Sequence, residues 1–349
     1  MSNTCPVHLV GSVNQPDAES VLRAVADRVD APRIPDGEVG ERFYWIQFQT
    51  HRFDRTPGLE RVGEPGYRIR DTFDVRPFRV TGEVELPELG YADAAIASFA
   101  TFARLQEQGV IAAGTRFQVS LPTPVAIVGA FLEPGSRAAF EPVYRDALRA
   151  ELDRIDAEIP HERLAIQFDA AVEFAILERH RRPAFVIEPW WQGGDLEGLV
   201  ERLAEVASWV PPDAQLGFHL CYGDVEEAHF VQPEDAGTLA RVARGILAEA
   251  PRRVDWIHLP VPLERDDAAY FAPLADVPWG ETQVILGLVH HEDGLEGALR
   301  RADAGRTAVP IFGIGTECGF GRGPAERTAP LLDLHRDVAD ALSGAPVAA

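Results

Sequence analysis

No lysine occurs in the 349 residues; every basic side chain of the Lys/Arg type is an arginine. That absence excludes a lysine Schiff base, a pyridoxal-phosphate anchor and a P-loop lysine. Cysteine is scarce: three residues cannot build a disulfide framework, so each is read as a thiol that packs, binds metal or acts as a nucleophile. Positive charge is in deficit. The formal net charge of −22 repels nucleic acid and anionic membrane, and disfavours a polyanionic ligand unless arginines gather locally. No stretch approaches the roughly 20 uninterrupted apolar residues of a membrane span. Met1 to Thr4 carry no basic region ahead of Val7-His8-Leu9-Val10, so no signal peptide is expected and a cytoplasmic location is. No Gly-x-Gly-x-x-Gly follows the first expected strand, which weighs against a dinucleotide-binding sheet. Internal repeats and low-complexity tracts are also lacking.

What is present is alternation. Hydrophobic residues make up 46% of the chain, enough for a large core. Short apolar runs predict strands near 7–12, 117–121, 164–168, 184–188, 215–221, 254–259, 283–289 and 309–315. Between several of them, apolar residues at three- and four-residue spacing predict helices over Ala18–Val29, Ala94–Gln108, Pro142–Ile159, Leu196–Trp209, Ala236–Ala250 and Ala325–Leu342. Val284-Ile285-Leu286-Gly287-Leu288-Val289 is apolar on both faces, as a helix-covered parallel sheet requires. The expected class is α/β, a single (β/α)8 TIM-type barrel spanning 1–349. Residues 30–80 are rich in Pro, Gly, Arg and aromatics, and read as a loop-rich insertion over the barrel mouth.

Ionisable groups stand at the C-terminal ends of the expected strands: Asp169, His219 with Cys221, His258, His290 with His291, and Glu317 with Cys318. The loops after barrel strands form one active-site face, so these groups converge there. In His219-Leu220-Cys221, residues i and i+2 share a strand face and can reach one ion; Cys318 is a candidate third ligand. Imidazole with thiolates favours zinc over magnesium or calcium, and three protein ligands leave a position open. Two readings of His258 stand: a fourth ligand, or a core histidine bonded to backbone. Alternation lets only one of His290 and His291 point inward, as an acid–base group or substrate contact. Glu292 and Asp293 either orient that histidine or cap the next helix. Asp169 is a candidate for orienting a substrate amine or a metal-bound histidine, and Glu317 joins the substrate-facing group. Trp190-Trp191 forms a stacking wall for a flat ring or simply packs the rim. Cys5, ahead of the first strand, is read as structural or incidental.

Gly11-Ser12-Val13-Asn14-Gln15-Pro16, Gln167-Phe168-Asp169, His219-Leu220-Cys221-Tyr222 and Glu317-Cys318-Gly319 occur in that order. Order and context resemble the C-terminal catalytic barrel of cobalamin-independent methionine synthase. They also resemble the wider zinc-dependent alkyl-transfer barrels of the uroporphyrinogen decarboxylase/methionine synthase-like group, with coenzyme M methyltransferases and epoxyalkane:coenzyme M transferase. The resemblance implies a zinc-dependent methyl or alkyl transferase that activates a small thiol. It implies His219, Cys221 and Cys318 as ligands, Gly11 and Ser12 beside the thiol substrate, Glu38 at the substrate amine and Asp169 as an orienting carboxylate. The chain departs from the synthase in having Ile257-His258 near that protein's glutamate ligand. With His258 as fourth ligand, two histidines and two thiolates leave zinc formally neutral and a better Lewis acid, which together with the His290–His291 pair favours the alternative of a zinc-dependent lyase or hydrolase. A zinc-binding accessory protein is a third reading. The implied partners are a small thiol and an alkyl or methyl donor, with assembly as a homodimer left open.

Overall fold

The computed structural model describes residues 5–66, 68–69, 73–181, 186–224 and 228–344. Seven parallel strands form one sheet in the order Arg33–Pro35, Arg116–Pro122, Leu164–Ala170, Gln215–Leu220, Trp256–Pro260, Gln283–Gly287 and Gly313–Ile314. Order in space equals order in sequence, as in a chain winding one way round a barrel. Every residue of Leu164–Ala170 is buried, because helices cover the outer face and side chains fill the inner one. Helices Ala18–Arg28, Tyr91–Glu107, Pro134–Glu158, Asp195–Trp209, Gly237–Glu249, Gly294–Arg306 and Thr328–Ser343 match the apolar periodicity. In the first of them the Asp17 carboxylate caps Ser20 N at 2.8 Å, and Val21, Leu22 and Val25 bury one face.

The eighth position in the barrel belongs to the segment around Val7–Val13, which is not a regular strand. Val7 bridges to Ile314 and Ser12 to Gly37, both parallel; His8 N donates to Ile314 O at 2.8 Å and Val13 N to Gly37 O at 3.1 Å. Midway, the Leu9 and Val10 carbonyls find no backbone donor among the described residues. Buried carbonyls need partners, and side chains supply them. Gln118 Nε2 donates to Leu9 O and Val10 O, each at 3.0 Å; Gln167 Nε2 reaches Val10 O at 2.7 Å and Ser120 Oγ reaches it at 3.1 Å. Amide side chains thus stitch the first segment into the wall.

One expected strand is wrong. Residues 186–188 carry no regular structure, and 184–185 lie outside the described residues. The missing wall position is filled by Arg33–Pro35, inside the stretch assigned to the insertion. Its composition hides it: a barrel-floor strand need not be apolar if its polar side chain is paired inside. Arg33 donates to Gln283 Oε1 at 2.8 Å and Gln215 Oε1 at 3.3 Å, and its guanidinium lies 4.2 Å from the centre of the Trp256 ring. The irregular region therefore begins after that strand. It contains two small antiparallel pairs, Leu59–Arg61 with Phe78–Val80 and Arg68–Ile69 with Phe73–Asp74. It is anchored on the barrel flank, where Glu151 of Pro134–Glu158 accepts from Leu89 N and Ala92 N, both at 2.6 Å. Among the described residues no helix is long and apolar enough to cross a membrane.

Candidate metal centre

Two strand ends bring His219, Cys221 and Cys318 together, with one ligand atom from each within 4.8 Å of the others. His219 lies on Gln215–Leu220, Cys221 follows it directly, and Cys318 sits in the loop after Gly313–Ile314. The two sulfurs are 3.9 Å apart. Two sulfurs each about 2.3 Å from one tetrahedral zinc would lie about 3.8 Å apart, so the pair already has the required spacing. The Cys318 loop can approach because of its glycines. A Cβ at Gly319 would stand 2.3 Å from Ser12 Oγ, and one at Gly321 2.7 Å from Ser12 Cβ. Gly321 N donates to Ser12 Oγ at 3.2 Å and Phe320 N to Ser12 O at 3.0 Å, so the loop is laid on Ser12.

His219 supplies the clearest sign of a missing partner. Its Nδ1 faces His258 Nδ1 at 2.8 Å, while its Nε2 is buried and has no hydrogen-bond partner. Burial, then the neighbouring His258, hold its pKa well below the ordinary value, so the ring is neutral. The hydrogen bond shared with Cys221, then burial, push the Cys318 thiol well above its usual value. A bound cation would replace those thiol protons, and two thiolates would match a divalent charge. Donor types, spacing and the orphaned nitrogen all fit zinc. His258 is outside the group. Its Nε2 donates to Thr316 O at 2.9 Å and its Nδ1 is turned to His219, so the ring stands behind the ligand and has no atom free for metal.

Carboxyl groups surround the three residues. Burial, then the nearby Glu38 charge, raise the Asp169 carboxyl well above its usual value; Gln167 Nε2 donates to it at 2.8 Å. Glu38 is pushed up to about 7 by burial, against the pull of Arg42 and Arg322. It sits in left-handed backbone (φ 52°), and a Cβ on Gly11 would come within 2.9 Å of its Oε1. Gly11, Glu38 and Asp169 therefore stand close together, and Ser12 lies against the Cys318 loop. His290, not His291, turns inward: its Nε2 donates to Val261 O at 2.8 Å and its Nδ1 lies 3.8 Å from Glu317 Oε2. Burial keeps His290 down to about 4 and raises Glu317 well above its usual value. The Glu317 carboxyl thus holds its proton beside a neutral imidazole.

Two readings that the sequence leaves open are narrowed by the geometry. His291 is exposed and pairs with Glu292 at 3.0 Å, pointing away from the mouth. Trp190 and Trp191 pack the rim: Trp190 Nε1 donates to Glu141 at 2.7 Å, Arg202 lies 4.5 Å from the Trp191 ring centre, and the two rings meet edge-on. Asp293 orients no histidine, being held by Arg301 at 2.7 and 2.8 Å. Cys5 lies away from the group, its thiol on Phe312 O at 3.5 Å. Sequence reasoning missed His229, 3.5 Å from Glu317, because it sits mid-loop rather than at a strand end. It also missed Arg322, held by Asp224 and 3.9 Å from Cys318 Sγ. Its only signal was an arginine closing the Cys318-Gly319-Phe320-Gly321-Arg322 turn.

Fold and site together define an α/β barrel with a His/Cys/Cys group at the C-terminal ends of its strands. No family model matches the chain, and no curated protein matches it in sequence. Solved structures do match in shape. A B12-independent methionine synthase from Shewanella sp. W3-18-1, in complex with selenomethionine, superposes with a TM-score of 0.63 at 15% identity, over 97% of this chain and 98% of that one. A putative vitamin-B12 independent methionine synthase from Listeria monocytogenes gives 0.57 at 16%, over 94% and 87%. The chain thus shares the fold of these two structures over nearly its whole length.

Proposed function

We propose that this chain is a zinc-dependent methyl or alkyl transferase acting on a small thiol. The observation that carries the reading is the buried, unpartnered His219 Nε2 grouped with two thiols at ligand spacing. A zinc ion there would supply a Lewis acid that holds a substrate thiol in its thiolate form. His219, Cys221 and Cys318 would hold the ion. With His258 drawn back, the protein offers three ligands, the number that leaves a position for substrate in catalytic sites.

The remaining residues have separable tasks. Gly11 leaves room beside Glu38, and Glu38 with Asp169 sets two buried carboxyl groups side by side, whose raised pKa values a substrate ammonium group would lower on binding, ionising them against its own charge. Glu317 and His290 can take or return a proton at His290 Nδ1. The lyase or hydrolase alternative drew on His258 and on the His290–His291 pair; with His258 behind His219 and His291 exposed, His290 is the part of that support that stays.

Metal content and zinc-edge X-ray absorption on protein purified without chelator test the proposal, with and without a panel of small thiols. One zinc per chain, with two sulfurs becoming three when a particular thiol is added, is the expected result. A sulfur count that no thiol changes would favour the lyase or hydrolase reading, and protein that takes up no zinc would end the metal proposal.

A further inference from the structure

We infer that His258 is a positioning residue that fixes which nitrogen of His219 is offered to the metal. This rests on the zinc reading above and assigns a task to a side chain that reading leaves unused. The reasoning runs along four atoms. Thr316 O is a carbonyl and can only accept, so His258 Nε2, 2.9 Å away, carries a hydrogen. The His258 ring is fully buried and touches no carboxylate in any hydrogen bond or ion pair described, so it is neutral and its Nδ1 is a bare acceptor. His219 Nδ1 faces that acceptor at 2.8 Å and must therefore hold the second hydrogen. The lone pair of His219 is left on Nε2, the atom that is buried without a partner. A backbone carbonyl two residues before Cys318 thus sets the tautomer of a ligand on a different strand.

The surroundings are shaped for this ring. A Cβ at Gly287 would meet His258 Nε2 at 3.0 Å and Thr316 O at 2.8 Å; one at Gly315 would stand 3.5 Å from the same nitrogen. Two bare backbone positions therefore clear the space in which the imidazole reaches Thr316. The His219 and His258 ring centres are 4.7 Å apart, and His8 closes the far side at 5.6 Å from His258. The turn itself is braced by Thr316 Oγ1, which donates to Cys318 O at 2.7 Å. Groups that orient a ligating histidine in this way typically change metal affinity 10–100-fold when lost.

Two measurements test the inference. The first uses metal-free wild type labelled with 15N-histidine, in which long-range 1H–15N correlations report the tautomers. Hydrogens on His219 Nδ1 and His258 Nε2 are expected; a hydrogen on His219 Nε2 would overturn the assignment. The second is a chelator-competition titration of zinc against wild type, His258→Phe and His258→Gln, each checked for folding by circular dichroism. Phe removes the acceptor and should weaken zinc roughly 10–100-fold. Gln can accept from His219 and donate to Thr316 O, and should stay within a few-fold of wild type. Equal affinity in folded His258→Phe would overturn the positioning role while leaving the zinc site intact. If the wild type itself binds no zinc, the metal reading falls and this inference with it. Should His258→Phe fail to fold, the tautomer spectrum of the wild type still decides.

Discussion

Replacing Glu38 with Gln should change the slope of stability against pH, and the size of the change follows from the structure. In the fold this carboxyl keeps its proton up to about 7, chiefly because of burial, whereas in the unfolded chain it gives it up near 4.5. Between those values the folded protein binds more protons than the unfolded one, so stability falls as pH rises. The fall spans the difference between the two pKa values at about 1.36 kcal/mol each, or about 3 kcal/mol in all, and is complete a little above pH 7. Gln has nearly the same shape and no charge. Because both residues would share the left-handed backbone at this position, the strain cancels in the comparison. Urea unfolding of both proteins from pH 5 to pH 9 reads the effect. The stability of Glu38→Gln relative to wild type should grow by about 2–3 kcal/mol across that range. Parallel curves would show that Glu38 titrates as an ordinary carboxylate. With a thiol substrate bearing an ammonium group, the same variant should also raise KM.

Other perturbations separate the site from its frame. Gly319→Ala places a Cβ 2.3 Å from Ser12 Oγ and 2.7 Å from Ser12 N. It should cost about 2 kcal/mol in thermal unfolding and weaken zinc uptake measured by chelator competition, since the Cys318 loop must lift. His291→Ala should leave stability within about 0.5 kcal/mol and turnover unchanged, while His290→Ala abolishes most turnover in the same alkyl-transfer assay. Trp190→Phe removes the bond to Glu141, and should lower stability by about 1–2 kcal/mol with KM unaffected in steady-state kinetics.

Much of this molecule was legible because barrel folding repeats one rule: an apolar run, an amphipathic run, and chemistry at the join. Asp169, His219, Cys221, His290 and Cys318 all obey it, so position along a strand located them. His258 obeys it too, yet strand position alone cannot say whether a ring faces a metal or the ring beside it. That choice depends on Thr316 O, a backbone atom no side-chain pattern encodes. The strand Arg33–Pro35 escaped for the opposite reason, since its arginine is satisfied by glutamines from distant strands. The Trp190-Trp191 pair shows that aromatic composition does not distinguish a binding wall from a packed rim; Glu141 and Arg202 decide it.

The barrel wall is joined along the segment around Val7–Val13, where glutamine amides replace a strand ladder. The Cys318 loop rests on Ser12 of that same segment, a contact between residues 309 apart in sequence. A metal held between Cys318 and Cys221 would therefore tie the loop that rests on this seam to the end of strand Gln215–Leu220. Since an ion that binds only the folded form stabilises it by mass action, metal supply would set how long the barrel survives.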